Sequence, residues 1–406
     1  MAPNIFSLEG QNLRFNSVAD IQPHLDALAA NNEVTEIRFF DNTIGVEAAA
    51  ALAEVLKTKK TLQYAGLDSV FGTRTVDEIP KAIDSLLQAL LTLPNLHTVN
   101  INDNAFGLST IKPILPFLAS HTPLVHLYLN NNGMGPIAGT EIGKALAKLA
   151  ERKKESGAPA LESIVCGRNR LEAGGMEGWE QAFRANTSIK SVRMTQNGIR
   201  IGGIMQLING LKHVKGLEVL DLEDNTFTTK GSKALANALP TWPELKELSL
   251  NDCFLGTRGF AAITEALGAG QNNKLEVFKF AYARADENGI KLLADILELS
   301  LPALRKIELT GNNFDEDNIS VTKIREILDE RREAAGVEEG DENWGIEEEI
   351  DQESFDESDE DDGTVEEEEV DDSELRRADA AEAAPVAADK DKKVDELADL
   401  LGKAEI

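Results

Sequence analysis

A nine-residue pattern, L-x-x-L-x-L-x-x-N, recurs along this chain and leaves few architectures open to it. Leu124-Val-His-Leu127-Tyr-Leu129-Asn-Asn-Asn132 and Leu217-Glu-Val-Leu220-Asp-Leu222-Glu-Asp-Asn225 are two clear copies. Val34, Leu96, Leu161, Ile189 and Leu304 begin others, with Asn42, Asn104, Asn169, Asn197 and Asn312 in the last place. Leu245 begins a copy that ends on Cys253; Leu62 and Leu275 begin degenerate ones that end on Val70 and Ala283. Alternating apolar residues specify a short strand with one buried face. The stretch that follows, such as Gly231 to Leu239, has apolar residues at helical spacing. One strand–helix unit cannot bury both faces alone, so units must stack into a horseshoe with strands inside and helices outside. The asparagine suits bonding to backbone groups of adjacent turns. The expected fold is therefore α/β, a leucine-rich-repeat solenoid. Its units start 28 residues apart from Leu161 through Leu245, the long type with a true α-helix on the convex side.

Two units are stretched. Leu62 to Leu96 spans 34 residues, with the extra length expected after the strand, from Val70 to Asp77. Leu124 to Leu161 spans 37, and the polar run Glu151 to Gly157 is expected to lengthen the helix end. Insertions in solenoids map to surface loops and often mark the binding face, although neutral insertions also occur. Residues 1–33 read as a capping unit and 34–332 as the repeat domain. An acidic disordered tail follows over 333–375, then a C-terminal segment over 376–406.

Charge is concentrated in that tail. Of the formal −30, Glu338 to Glu374 holds about −22, with 22 Asp or Glu and no Lys or Arg, leaving about −8 for the remainder. A segment so charged and so poor in apolar residues cannot offset its ordering entropy. Val394 to Leu401 has the spacing of a short amphipathic helix, a dock for a partner or an export-like signal. A frayed tail with a few leucines is the plainer reading. A chain this acidic is not expected to bind nucleic acid through a generic basic surface. No apolar run approaches the ~20 residues that span a bilayer, and the N-terminus lacks a secretory signal pattern. Two separated cysteines, Cys166 and Cys253, fit a reducing compartment. The five scattered histidines show no metal-ligand spacing. A soluble intracellular protein is expected.

Chemistry within the chain finds little support. There is no GxSxG elbow, no Walker loop and no HExxH. Cys166 holds the third apolar strand position and Cys253 the asparagine position, so both read as core rather than as activated thiols. The residue before each terminal asparagine should leave the strand and reach the exposed ascending loop. Down the copies it reads Asp41, Ser69, Asp103, Asn131, Arg168, Gln196, Asp224 and Asp252. Such a polar series suits a protein-binding edge, and from spacing alone it equally suits a solvated rim.

Several strings resemble the Ran GTPase-activating protein family. They include Asp41-Asn-Thr-Ile-Gly45, Asp77-Glu-Ile-Pro80, Leu96-His-Thr-Val99, Asp103-Asn-Ala-Phe-Gly107 and His121 through Pro136. Gly167-Arg-Asn-Arg-Leu171, Gln196-Asn-Gly-Ile-Arg200, Leu220 through Phe227 and Leu250-Asn-Asp-Cys253 complete the set. The resemblance covers roughly residues 5–330 and extends to the order of repeats and acidic tail, in a form similar to the fungal one. The strings around Arg74, Asn131 and Arg168-Asn-Arg170 are the specific ones, because solenoid packing does not require them. By resemblance, Asn131 matches the asparagine that approaches the catalytic glutamine of the GTPase and holds it for attack by water. Arg74 matches an arginine important to the family, which leaves transition-state charge to the GTPase itself. Arg74 is therefore assigned to docking and positioning. Asp41, Asp103, Asn130, Arg168, Arg170, Gln196, Asp224 and Asp252 are candidate partner contacts, a structural salt bridge being the other reading for Arg168 and Arg170. The family often has a lysine shortly after the loop arginine, where this chain has Thr75-Val76.

The resemblance implies a GTPase activator rather than an enzyme, acting on GTP-bound Ran in nucleocytoplasmic transport. It needs no cofactor or metal of its own, GTP and magnesium being held by the partner. It further implies a monomer in the cytoplasm or at the nuclear periphery, with accessory Ran-binding proteins and transport receptors as further partners. The alternative is an acidic leucine-rich-repeat binding protein, of the histone-chaperone or phosphatase-inhibitor type. Those have fewer and shorter repeats and no role for Arg74 or Asn131. A nuclease inhibitor shares the long repeat but depends on many cysteines.

Overall fold

A computed structural model describes residues 3–315 and 317–347. Among them, twelve strands pair in parallel and in sequence order into one sheet, from Ile5–Ser7 to Gly345–Glu347. The register is in phase from unit to unit: Leu220 lies between Val192 and Leu248, and Leu127 between Val99 and Ile164. Each strand is only three residues long, so its middle residue alone points inward. Ile37, Val99, Leu127, Ile164, Val192, Leu220, Leu248 and Ile307 are all fully buried in that place. A helix follows almost every strand and packs on the helices of neighbouring units.

The asparagine of each copy closes the turn and joins it to the next. Asn104 Nδ2 donates to the Ile101 carbonyl of its own turn at 3.1 Å and to the Leu67 carbonyl of the previous one at 2.9 Å. The backbone N–H of Asn104 donates to Asn132 Oδ1, that of Asn132 to Asn169 Oδ1, and that of Asn169 to Asn197 Oδ1, all within 3.0 Å. Cys253 keeps one of these links, its thiol reaching the Leu222 carbonyl at 3.2 Å. Where Ala283 has no such side chain, Asn312 Oδ1 accepts from the N–H groups of Ala283 and Ala285. The loop there keeps the common course, with left-handed φ at Tyr282.

Both insertions fall where expected. Residues 67–78 separate the strand Tyr64–Gly66 from the helix Ile79–Leu90, and the helix Gly135–Ser156 reaches 22 residues. The domain boundary does not fall where expected. The last helix among the described residues, Ile319–Ala334, is followed by the strand Gly345–Glu347, within a run expected to be disordered. Ile346 pairs with Ile307, Lys306 holds Glu347 at 2.5 Å, and Arg305 lies over the Trp344 ring. The average composition of 338–374 hid a Trp-Gly-Ile interruption apolar enough to extend an open sheet edge. The rest of the acidic run and the segment 376–406, with its amphipathic stretch, lie outside the described residues.

On the side away from the rim, buried and half-buried side chains satisfy backbone carbonyls, mostly of the turns that lead from helix to strand. Lys153 is 4% exposed, and its ammonium donates to the carbonyls of Thr122, Leu124 and Pro159. Arg331 does the same for Leu297, Leu301 and Leu304. His121, stacked on Phe117, gives its Nε2 proton to the Leu96 carbonyl at 2.7 Å. Burial lowers its pKa from 6.5 to about 4, so the folded state keeps it neutral.

Two outcomes follow from these contacts. Lys153→Met leaves three buried carbonyls unpaired and is expected to cost about 2–4 kcal/mol in chemical denaturation. For His121 the unfolded chain binds the proton more tightly, so stability is complete above pH 6.5 and falls as pH drops from 6.5 toward 4. The loss should be roughly 3 kcal/mol larger in the native protein than in His121→Gln, read from denaturation midpoints at the two pH values.

Candidate functional site on the ascending rim

The loop after each strand follows one backbone course, set by residues with left-handed φ. The position before the asparagine is left-handed in every copy from Asp41 to Tyr282: 61° at Asp41, 58° at Asp103, 52° at Asn131, 53° at Arg168, 50° at Gln196, 52° at Asp224 and 50° at Asp252. The position after it is left-handed at Gly133 and also at Arg170. Asp and Asn tolerate this conformation, which explains the recurring Asp-Asn pairs without any functional cause. Arg168, Arg170 and Gln196 lack that tolerance, as do Ser69, Ala105, Phe254, Tyr282 and Arg284 at the equivalent positions, so the solenoid turn itself imposes the conformation.

This course pushes the side chains outward. Asp41, Asp103, Asn131, Arg168, Arg170, Gln196 and Asp252 are exposed, and Asp224 is half-buried. Asp103, Asn131 and Arg168 stand on three consecutive rungs, because their strands are neighbours in the sheet. Asn131 is held twice. Its N–H donates to the Gly167 carbonyl at 2.9 Å, and its Nδ2 donates to Asp103 Oδ1 at 2.8 Å. Arg168 and Arg170 form no ion pair among the described residues, so the salt-bridge reading has no support there. Asn130 sits below the rim. It is half-buried, and a Cβ on Gly167 would lie 2.6 Å from its Oδ1, so only glycine fits above it.

Arg74 lies on the extended loop but does not project freely. Its Nε donates to Thr43 Oγ1 at 2.9 Å, and its Nη2 donates to the carbonyls of Phe15 and Thr43 at 3.3 Å. Phe15 and Thr43 belong to the small parallel pair Arg14–Phe15 and Thr43–Ile44. The guanidinium is thus turned toward the first units, away from Asn131, and braces the start of the rim. Asn131 stands two strands further on, roughly 10 Å along the sheet.

The concave face carries a charged network that the repeat pattern does not announce. Arg193 there bridges Asp221 at 3.0 Å and Glu247 at 2.9 Å, and Lys279 pairs with Glu308 at 2.6 Å. Asn251 joins Glu223 to Glu308. Burial, reinforced by Asp221, raises the Glu223 carboxyl to about 7. The signal was available in the residue between the last two apolar strand positions, which reads Tyr128, Arg193, Asp221, Lys279 and Glu308. Each of the two cations is held by carboxylates, and with Asp221, Glu223, Glu247 and Glu308 opposite them the groups form a bonded lattice with an acidic excess. Cys166 and Cys253 are fully buried, and burial pushes the Cys166 thiol up to about 12, out of reach of thiolate chemistry. No cluster of metal-binding side chains occurs among the described residues.

The geometry is therefore a rim of outward polar side chains on a rigid scaffold. A family model described as Leucine Rich repeat matches residues 217–236. Ran GTPase-activating protein 1 of Saccharomyces cerevisiae is 38% identical over 335 residues, 80% of this chain and 82% of that relative. The chain belongs to the Ran GTPase-activating protein family. The Drosophila melanogaster Ran GTPase-activating protein is 37% identical across 77% of this chain, which spans 52% of that relative. Ran GTPase-activating protein 1 of Xenopus laevis is 36% identical across 48% of the chain, and the match spans 34% of that relative. Arg74 offers a direct check on how the rim is built. Arg74→Lys keeps the charge but cannot span Thr43 and Phe15. It is expected to lower stability by about 1–2 kcal/mol in denaturant titrations. An unchanged midpoint would mean the guanidinium braces nothing.

Proposed function

We propose that this chain activates GTP hydrolysis on Ran by laying its ascending rim against the GTPase, with Asn131 holding the GTPase's catalytic glutamine. The observation that carries the reading is the fixing of Asn131. Its backbone is tied to Gly167 and its amide nitrogen to Asp103, which leaves the carbonyl oxygen to face outward. An outward carboxamide oxygen is an acceptor for a glutamine N–H. The glutamine oxygen then stays available to orient the attacking water. Arg168 and Arg170, on the next rung, are placed to meet acidic or carbonyl groups of the same partner.

In this reading the chain contributes orientation rather than a reacting group. GTP and magnesium belong to the GTPase, and no cofactor is needed here. Arg74 acts indirectly, by holding the first loops against which the partner docks. We further propose that the protein works as a monomer in the cytoplasm or near the nuclear envelope, with Ran-binding proteins and transport receptors delivering its substrate.

The test is single-turnover hydrolysis on purified Ran loaded with GTP, at saturating activator. The native protein is expected to accelerate the reaction strongly, and Asn131→Ala to lose about a hundredfold of the saturating rate while remaining folded. Strong acceleration that survives Asn131→Ala would remove the glutamine-holding role. No acceleration by folded native protein would end the proposal.

A further inference from the structure

Asp103 was grouped with the partner contacts, yet its carboxylate faces along the rim rather than out of it. Oδ1 accepts from Asn131 Nδ2 at 2.8 Å, across one full unit of the solenoid. The backbones of both residues are fixed: Asp103 N–H donates to the Asn130 carbonyl and Asn131 N–H to the Gly167 carbonyl, each at 2.9 Å. Both also hold left-handed φ, 58° and 52°, so their side chains leave the chain in parallel.

A carboxamide has two different ends of almost identical shape. One donates and the other accepts, and a half-turn about its last bond exchanges them. An exposed asparagine alone would present either end to a partner. A carboxylate beside it accepts only, so the donor end is drawn to the carboxylate and the acceptor end is left facing out.

We propose that Asp103 is a positioning residue: it selects the orientation of Asn131 that presents an acceptor to the GTPase. The proposal rests on the role given to Asn131 above and adds what sets its polarity. Asp103 does not touch the reacting atoms. It removes the wrong half of the orientations of Asn131 before the partner arrives, an ordering cost that would otherwise fall on the transition state.

The sign of a second substitution tests this. Asp103→Asn keeps the shape and the left-handed backbone, and lets the neighbouring amide adopt either orientation. It is expected to lower the saturating single-turnover rate about twofold, the limit set by two equally populated orientations, with the half-saturating concentration unchanged. Asn131→Asp sets two carboxylates against each other and should lose more. Combining Asn131→Asp with Asp103→Asn restores a donor–acceptor pair with an acceptor outward, so the double variant should be faster than Asn131→Asp alone. The same change at position 103 would then be harmful in one background and helpful in the other. If Asp103→Asn alters only the half-saturating concentration, Asp103 is a docking contact and the proposal fails. If the double variant is no faster than Asn131→Asp, it also fails. The Asn131→Ala measurement separates the two levels. A normal saturating rate there would overturn the reading of Asn131 itself, and the role of Asp103 with it.

Discussion

A buried asparagine hydrogen bond, repeated in most units, is the interaction on which the rest of this molecule depends. The strands are three residues long, too short to specify a register by themselves. Each ladder asparagine ties the carbonyls of its own turn to those of the previous one and accepts an N–H from it. The next asparagine accepts from its own N–H in turn. Unit spacing and the path of the ascending loop are thereby set together. That path requires left-handed backbone just before the asparagine, which aims the preceding side chain at solvent. Core and rim are two consequences of one bonding pattern, so a contact between rim side chains in successive units has little freedom to drift.

This coupling decides which residues suit the loop backbone and which adopt it under strain. Asp41, Asp224 and Asp252 are common choices for left-handed φ and need no further cause. Arg168, Arg170 and Gln196 occupy the same conformation against its steric preference. Ser69, Ala105, Phe254, Tyr282 and Arg284 share that strain at the equivalent positions, so it follows from the turn and does not by itself mark a contact. The concave face shows the opposite solution. Its cations Arg193 and Lys279 are already engaged by carboxylates and Asn251 bridges two more, so a partner docking there would have to break bonds already made.

The repeat, its phase and both insertions were legible in the sequence because they depend on local period. So was the rim, since the ladder asparagine points to its own neighbour. What escaped is what depends on pairs far apart in the chain. Arg74 reaches Phe15 across 59 positions, which turns an expected contact residue into a brace. Lys153 looked like part of a polar surface run but lies under three carbonyls. Gly345–Glu347 was lost in the charge of its surroundings. Asp103 and Asn131 were each singled out, but nothing local says that one side chain points at the other.

The central claim is that the ascending rim, and not the concave lattice or the helices, receives the GTPase. Hydrogen–deuterium exchange of the full chain, with and without Ran bound to a non-hydrolysable GTP analogue, tests it most directly. The account expects slowed exchange in the loops at 68–77, 103–107, 130–135 and 168–172, with the helices unchanged. Protection confined to the concave strands or to the helices would contradict it.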